Sequence, residues 1–262
     1  MSKKRIVGFG LLVIIVGSAC GIPSLGGATE EGAAGGVPDI PEPAEAPTLP
    51  VPINQGLASL DSYRMTYTND VFDSLAQERT TMTLVVASDR ETDASYTRSE
   101  TLVTVEADEI VSEDVEEQFI IGSQLCSMTD GEAEFTVISD TAQVMTDLMS
   151  QVVDFNPLIE NPVFVGEEVV NGVPVRTYTF EVRSIDAASG VEAVRSDGSY
   201  AIAVDGDYLV DYRLDLELRT GAEGDPEAEF SISSFDLSLE EINRPMAIAF
   251  PANCLEAQSF AE

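Results

Sequence analysis

Val163-Phe164-Val165-Gly166-Glu167-Glu168-Val169-Val170-Asn171-Gly172-Val173-Pro174-Val175-Arg176-Thr177-Tyr178-Thr179-Phe180-Glu181-Val182 is the stretch whose reading decides the fold. Two runs rich in Val, Thr and aromatic residues flank Asn171-Gly172, a pair that tolerates the two positive φ values of a type I′ turn. A two-residue loop sets the register. Val170 is then expected to face Val173, Glu167 to face Arg176, and Val165 to face Tyr178. Val163, Val165, Val169, Tyr178, Phe180 and Val182 share one face under that register. Pro174 has no N–H to donate, so its outer side is expected to be an edge or a break in pairing.

Working outward, two more Asp-Gly pairs mark hairpins. Asp130-Gly131 lies between Phe119–Thr129 and Glu132–Ile138, and its register pairs Cys126 with Phe135 and Met128 with Ala133. Asp205-Gly206 joins Tyr200–Val204 to Tyr208–Arg219. There Val210, Tyr212, Leu214, Leu216 and Leu218 alternate with Asp211, Arg213, Asp215, Glu217 and Arg219, one dry face and one wet face. Tyr63, Met65 and Tyr67 alternate in the same way. Thr80–Ala87 and Ala94–Val105 read as two further strands, and Asp108–Gln118 as an acidic stretch with a short strand around Ile110 and Val111. Residues 183–198 read as irregular. A phase change at Ser233-Ser234, between Phe230 and Ile232 on one side and Phe235, Leu237 and Leu239 on the other, suggests a bulge. Met246, Ile248 and Phe250 read as a last strand. Leu57–Leu60 is expected to form a helical turn. A longer helix is expected over Thr141–Asp154: Asp140-x-x-Gln143 is a capping box, Val144, Met145, Leu148, Met149, Val152 and Val153 recur at helical spacing, and Asn156-Pro157 stops it.

The fold class expected is therefore mainly β (α+β). A strongly curved antiparallel sheet of about ten strands, a half-barrel, wraps around one long mid-sequence helix.

The N-terminus adds a second signal. Lys3-Lys4-Arg5 precedes an apolar run, Ile6–Val16, that is eleven residues long and short for a bilayer span. Gly17-Ser18-Ala19-Cys20 follows and looks like a lipobox, with Gly17 where Leu is usual. Cys20 is thus the candidate lipidation site, the start of a palmitate-type anchor, with 1–19 removed as signal peptide. Residues 20–56, rich in Pro, Gly, Ala and Glu, read as a tether that cannot fold for want of apolar surface. Residues 57–262 form the domain.

The pattern Gly166-Glu167-Glu168-x-x-Asn171-Gly172-Val173-x-x-x-x-Tyr178-x-Phe180 resembles the central hairpin of the LppX/LprG-type lipoproteins, within the LolA/LolB-like lipoprotein-carrier superfamily. With the order of elements, the resemblance covers about Leu60 to Cys254. It implies a half-barrel whose concave apolar face binds acyl chains, with the helix in its mouth. The related families often carry Trp shortly after the second turn. This chain has no tryptophan, and Phe135 is the candidate for that role.

Composition removes several chemistries. With no histidine, Ser-His-Asp and Cys-His catalysis and histidine zinc sites are excluded. No phosphate loop or calcium loop appears, so no cofactor and no metal is expected. Carboxylate pairs such as Glu167-Glu168 and Glu116-Glu117 read as solvated faces, with a carboxylate hydrolase as a remote third reading. Three of the 13 basic residues are Lys3, Lys4 and Arg5, and none of the 47 acids precedes Cys20, which leaves ten arginines against 47 acids and −37. That charge repels nucleic acid and anionic membrane surfaces. It is expected to be an adaptation to salty surroundings.

The function expected is a non-catalytic extracytoplasmic lipoprotein, membrane-anchored through Cys20, that binds or carries a lipid or other amphiphile. The other reading is an extracytoplasmic interaction module whose face is filled by its own side chains. The cavity-lining candidates are Val165, Tyr178 and Phe180, then Tyr212, Leu214 and Leu216, with Met145, Met149 and Val152 facing them from the helix. Ordinary core is the competing account of all nine. Once Cys20 is lipidated, Cys126 and Cys254 are an even pair in an oxidising compartment. A disulfide is expected, against two buried free thiols.

Overall fold

Alternation at period two carries through into one antiparallel sheet. In a computed structural model of the chain, the described residues are 54–57, 59–105, 109–138, 159–182, 184–186, 191–220 and 229–261. All of them fall in the second of the chain's two units, Glu45–Glu262. Residues 1–19, Cys20 and most of the tether lie outside the described residues. So does the helix expected over Thr141–Asp154, with Met145, Met149 and Val152.

The elements are α1 (Asn54–Leu57), β1 (Ser62–Asp73), β2 (Glu78–Asp89), β3 (Ala94–Val105), β4 (Glu109–Ile121), β5 (Gln124–Thr129), β6 (Glu132–Val137), β7 (Glu160–Val170), β8 (Val173–Glu181), β9 (Ser184–Asp186), β10 (Val191–Ala203), β11 (Leu209–Thr220), β12 (Glu229–Glu240) and α2 (Ala252–Ala261). Twelve strands among the described residues replace the ten or so expected. The sheet runs β6-β5-β4-β3-β2-β1-β12-β11-β10-β8-β7, with β9 beside β10. It is curved and does not close, and β6 and β7 are its edges. The longer helix among the described residues is neither long nor mid-sequence: it is C-terminal.

Several expectations change. The acidic stretch 109–121 is one long strand paired with β3 along its length. Part of 183–198 is the start of β10, because it has β11 to pair with. Ser233 and Ser234 run straight through both β12 ladders without a bulge. Phe230 and Ile232 simply face the other side, where they are exposed. Met246–Phe250 is no strand. Side chains rather than a ladder hold its start and the residues before it: Met246 N donates to Asp89 Oδ2 at 3.0 Å, and Ser62 Oγ donates to the Arg244 carbonyl at 2.6 Å.

The central hairpin keeps its expected register next to the turn. Val170 pairs with Val173 and Glu167 with Arg176. Asn171 and Gly172 both have positive φ, 51° and 83°. Then the register slips, with Val165 as the extra residue, so Phe164 pairs with Tyr178. Ladder pairing of β8 with β10 stops at Val175, next to Pro174.

Partners in an antiparallel ladder share a face. The pairings therefore trace a row, Phe164, Tyr178, Tyr200, Tyr212, Leu237, Tyr67 and Leu84, one residue from each of seven strands. These residues and their i±2 neighbours supply most of the core cluster. Each Leu buried there contributes roughly 1.5–3 kcal/mol. The sheet also rolls. In a flat sheet β8 and β12 would stand about 14 Å apart, three strand spacings. Yet Asn171 Nδ2, at the tip of β8, donates to the Leu239 carbonyl at 3.0 Å and to Ser238 Oγ at 3.1 Å. Leu57 and Leu60 are buried in the same cluster.

At the β6 edge, Cys126 and Cys254 are joined by a disulfide with a Cα separation of 5.9 Å. Phe135 meets Phe250 edge-on at 5.7 Å, and Asn253 Nδ2 donates to the Gly131 carbonyl at 3.2 Å.

Candidate ligand-binding face

Five of the nine residues expected to line a cavity come together. Tyr178 and Phe180 from β8 and Tyr212, Leu214 and Leu216 from β11 occupy one face, each 1–3% exposed. They converge because β10 lies between β8 and β11 and pairs both in register. Val165 is not among them: the bulge leaves it 63% exposed, and Phe164 contacts Tyr178 with ring centroids 5.5 Å apart. Met145, Met149 and Val152 lie outside the described residues.

The residue that sequence reading missed is Tyr200, at the centre of the group. Its ring stacks on Tyr178 at 4.9 Å and 12° and meets Phe180 at 5.9 Å. Phe180 also stacks on Tyr212 at 5.6 Å. That contact requires the ring to cross β10, and it does so over Gly198, where a Cβ would approach three Phe180 ring carbons to under 3.0 Å. Period-two alternation through Tyr200 and Ile202 was visible in the sequence. The match of Tyr200 to Tyr178, across a segment that read as irregular, was not.

Electrostatically the face is neutral at its centre. Burial pushes the Tyr200 phenol up to about 12, with the nearby Tyr178 adding to the shift. Burial raises Tyr212 and Tyr67 as well. The Tyr200 hydroxyl is buried, with no hydrogen-bond partner among the described residues. Charge gathers at the rim. Arg176, which faces Glu167 in the ladder, donates instead to Asp207 Oδ1 at 2.7 Å. Where β8 and β10 part, a groove of about 480 Å³ is lined by Asn161, Val163, Thr179, Phe180, Glu181, Ser196 and Asp197. Val182 N donates to Ser196 Oγ beside it at 2.8 Å. Among the described residues no group of three or more acids and cysteines could hold a metal ion, and no helix is long and apolar enough to cross a membrane.

No family model matches the sequence, and no curated protein matches it. Among solved structures the chain is similar to the lipoprotein LppX of Mycobacterium tuberculosis, at 14% identity over 74% of this chain and 93% of that one, TM-score 0.34. It is similar to LprF from Mycobacterium bovis, at 12% identity over 77% and 94%, TM-score 0.35. A LolA superfamily protein from Nitrosomonas europaea is similar at 11% identity over 74% and 93%, TM-score 0.24. The hairpin motif resembled the same group of proteins.

Proposed function

We propose that the chain is an extracytoplasmic lipoprotein, held at a membrane by a lipidated Cys20 and a tether over 20–56, that binds a lipid or other amphiphile without catalysis. The observation that carries the reading is the row of rings and aliphatic side chains across seven strands of an open sheet. Such a row matches the apolarity of an acyl chain, for which each buried CH₂ contributes about 0.8 kcal/mol. No charged residue interrupts it between Phe164 and Leu84. The absence of histidine supports the non-catalytic part of the reading.

Native mass spectrometry of the protein purified from its own membrane tests this. The expected result is a mature chain beginning at a diacylated Cys20 and carrying one non-covalent amphiphile. An empty protein that takes up no fluorescent acyl probe after delipidation would reject the binding reading. Unchanged membrane association of Cys20→Ala would reject the anchor.

A second reading, an interaction module with a filled face, draws on a different observation: Tyr178, Tyr212, Leu214 and Leu216 are nearly inaccessible. Leu214→Trp separates the two, since a large side chain strains a filled core but only displaces ligand from an open one.

A further inference from the structure

Tyr200 is 2% exposed, and among the described residues its hydroxyl has no hydrogen-bond partner. Buried tyrosines ordinarily satisfy that group, because the ring is apolar and the O–H is not. Nothing among the described residues satisfies it, which leaves the hydroxyl available to a bound molecule. The ring is held on two sides, by Tyr178 at 4.9 Å and Phe180 at 5.9 Å. Tyr178 in turn touches Phe164, 54% exposed at the β7 edge, with ring centroids 5.5 Å apart, so the row reaches the surface there. The neighbours of Tyr200 along the row, Tyr178 and Tyr212, bring no charge.

We propose that Tyr200 is a specificity-determining residue of the ligand site: its hydroxyl donates a hydrogen bond to an uncharged carbonyl oxygen, an acyl ester or amide, of an amphiphile whose chains lie along the aromatic row. The proposal rests on the amphiphile reading above. Burial keeps the phenol protonated throughout the physiological range, so it remains a donor.

The delipidated mature protein tests it with two probes that differ only in the acceptor. One is 1,2-dioleoylglycerol, with two ester carbonyls. The other is its dioleyl ether, with the same chain length and free hydroxyl and no carbonyl. Their affinities are compared by displacement of a fluorescent acyl probe, in the unsubstituted protein and in Tyr200→Phe, which retains the ring contacts. The unsubstituted protein is expected to prefer the ester by about tenfold, the worth of one net hydrogen bond. Tyr200→Phe should lose that preference while binding the ether unchanged to within roughly twofold. Equal binding of ester and ether by the unsubstituted protein, or a preference that survives in Tyr200→Phe, overturns the role of Tyr200 and leaves the amphiphile reading standing. Binding of neither probe, with a higher melting temperature for Tyr200→Phe, overturns both, as a filled core with one unsatisfied hydroxyl would do.

Discussion

A Cβ at Gly198 would collide with the Phe180 ring, which crosses β10 there to stack on Tyr212. Gly198→Ala should therefore displace that ring and destabilise the fold by roughly 1–3 kcal/mol, as overpacking does. Urea denaturation measures the loss, and Phe180→Leu in the same chain should recover part of it by making room. Asp89 is a residue-scale case of another kind. Its carboxylate accepts from the backbone N–H groups of Glu91, Thr92 and Met246 at 3.0, 3.2 and 3.0 Å. The bond from Met246 is the largest cause holding its carboxyl below the ordinary carboxylate range. A group depressed in the folded state contributes stability above its unfolded pKa, near 4, and that contribution fades as pH falls through the folded value. Asp89→Asn should thus be less stable than the unsubstituted protein at pH 7, with the gap closing below about pH 4. A gap independent of pH would reject the assignment. At Leu214, 1% exposed, the substitution Leu214→Trp should cost roughly 1–3 kcal/mol in a filled core. If the face opens for a ligand, the melting temperature should hardly move while co-purified lipid is lost.

Among the elements, α2 owes its place to covalent and polar contacts rather than to an apolar face. Cys254 is its buried residue, whereas Leu255 is 52% exposed. The disulfide to Cys126 closes a sequence separation of 128 residues. In the chain-entropy account, a loop of that length stabilises by about 5 kcal/mol. Cys126→Ala with Cys254→Ala should lose up to that amount, and hydrogen exchange should quicken first in α2 and β6. An unchanged denaturation midpoint would show that the bond constrains nothing. The β7 edge is handled differently. It exposes Val163, Phe164, Val165 and Val169, the composition of a strand that could pair with another chain. Register breaks around Asn161-Pro162 and at Val165, together with Glu167 and Glu168, make it a poor template.

For the whole molecule, the dominant quantity is charge. With −34 over the chain, self-repulsion opposes folding at low ionic strength. Ion pairs such as Arg79–Asp70, Arg98–Glu100 and Arg213–Asp215 engage arginines that are far outnumbered. The melting temperature should rise with added salt up to about 1 M, where screening acts within about 3 Å. A flat response would reject the adaptation to salty surroundings. The roll of the sheet belongs to this scale as well, since the β7–β8 tip reaches β12 through Asn171, a residue already committed to its turn.

What the sequence determined by itself is local. Alternation placed Tyr212, Leu214 and Leu216 on the dry side of β11, Asn171-Gly172 set the pairing beside its turn, and Asp130-Gly131 paired Cys126 with Phe135. These follow from backbone geometry and side-chain period within a dozen residues. Tertiary structure decided what depends on a distant partner. The first half of β10, Val191–Gly198, formed out of a stretch that read as irregular because β11 satisfies its backbone groups. A bulge put Phe164 where Val165 was expected, and Asp89 captured the backbone N–H of Met246, the first residue of a run that read as a strand. Tyr200 became the centre of the candidate site only when β8, from another hairpin, brought Tyr178 and Phe180 to the side of it away from Tyr212. Side-chain period assigns a residue to a face, but its neighbours on that face come from ladder register between strands far apart in the chain.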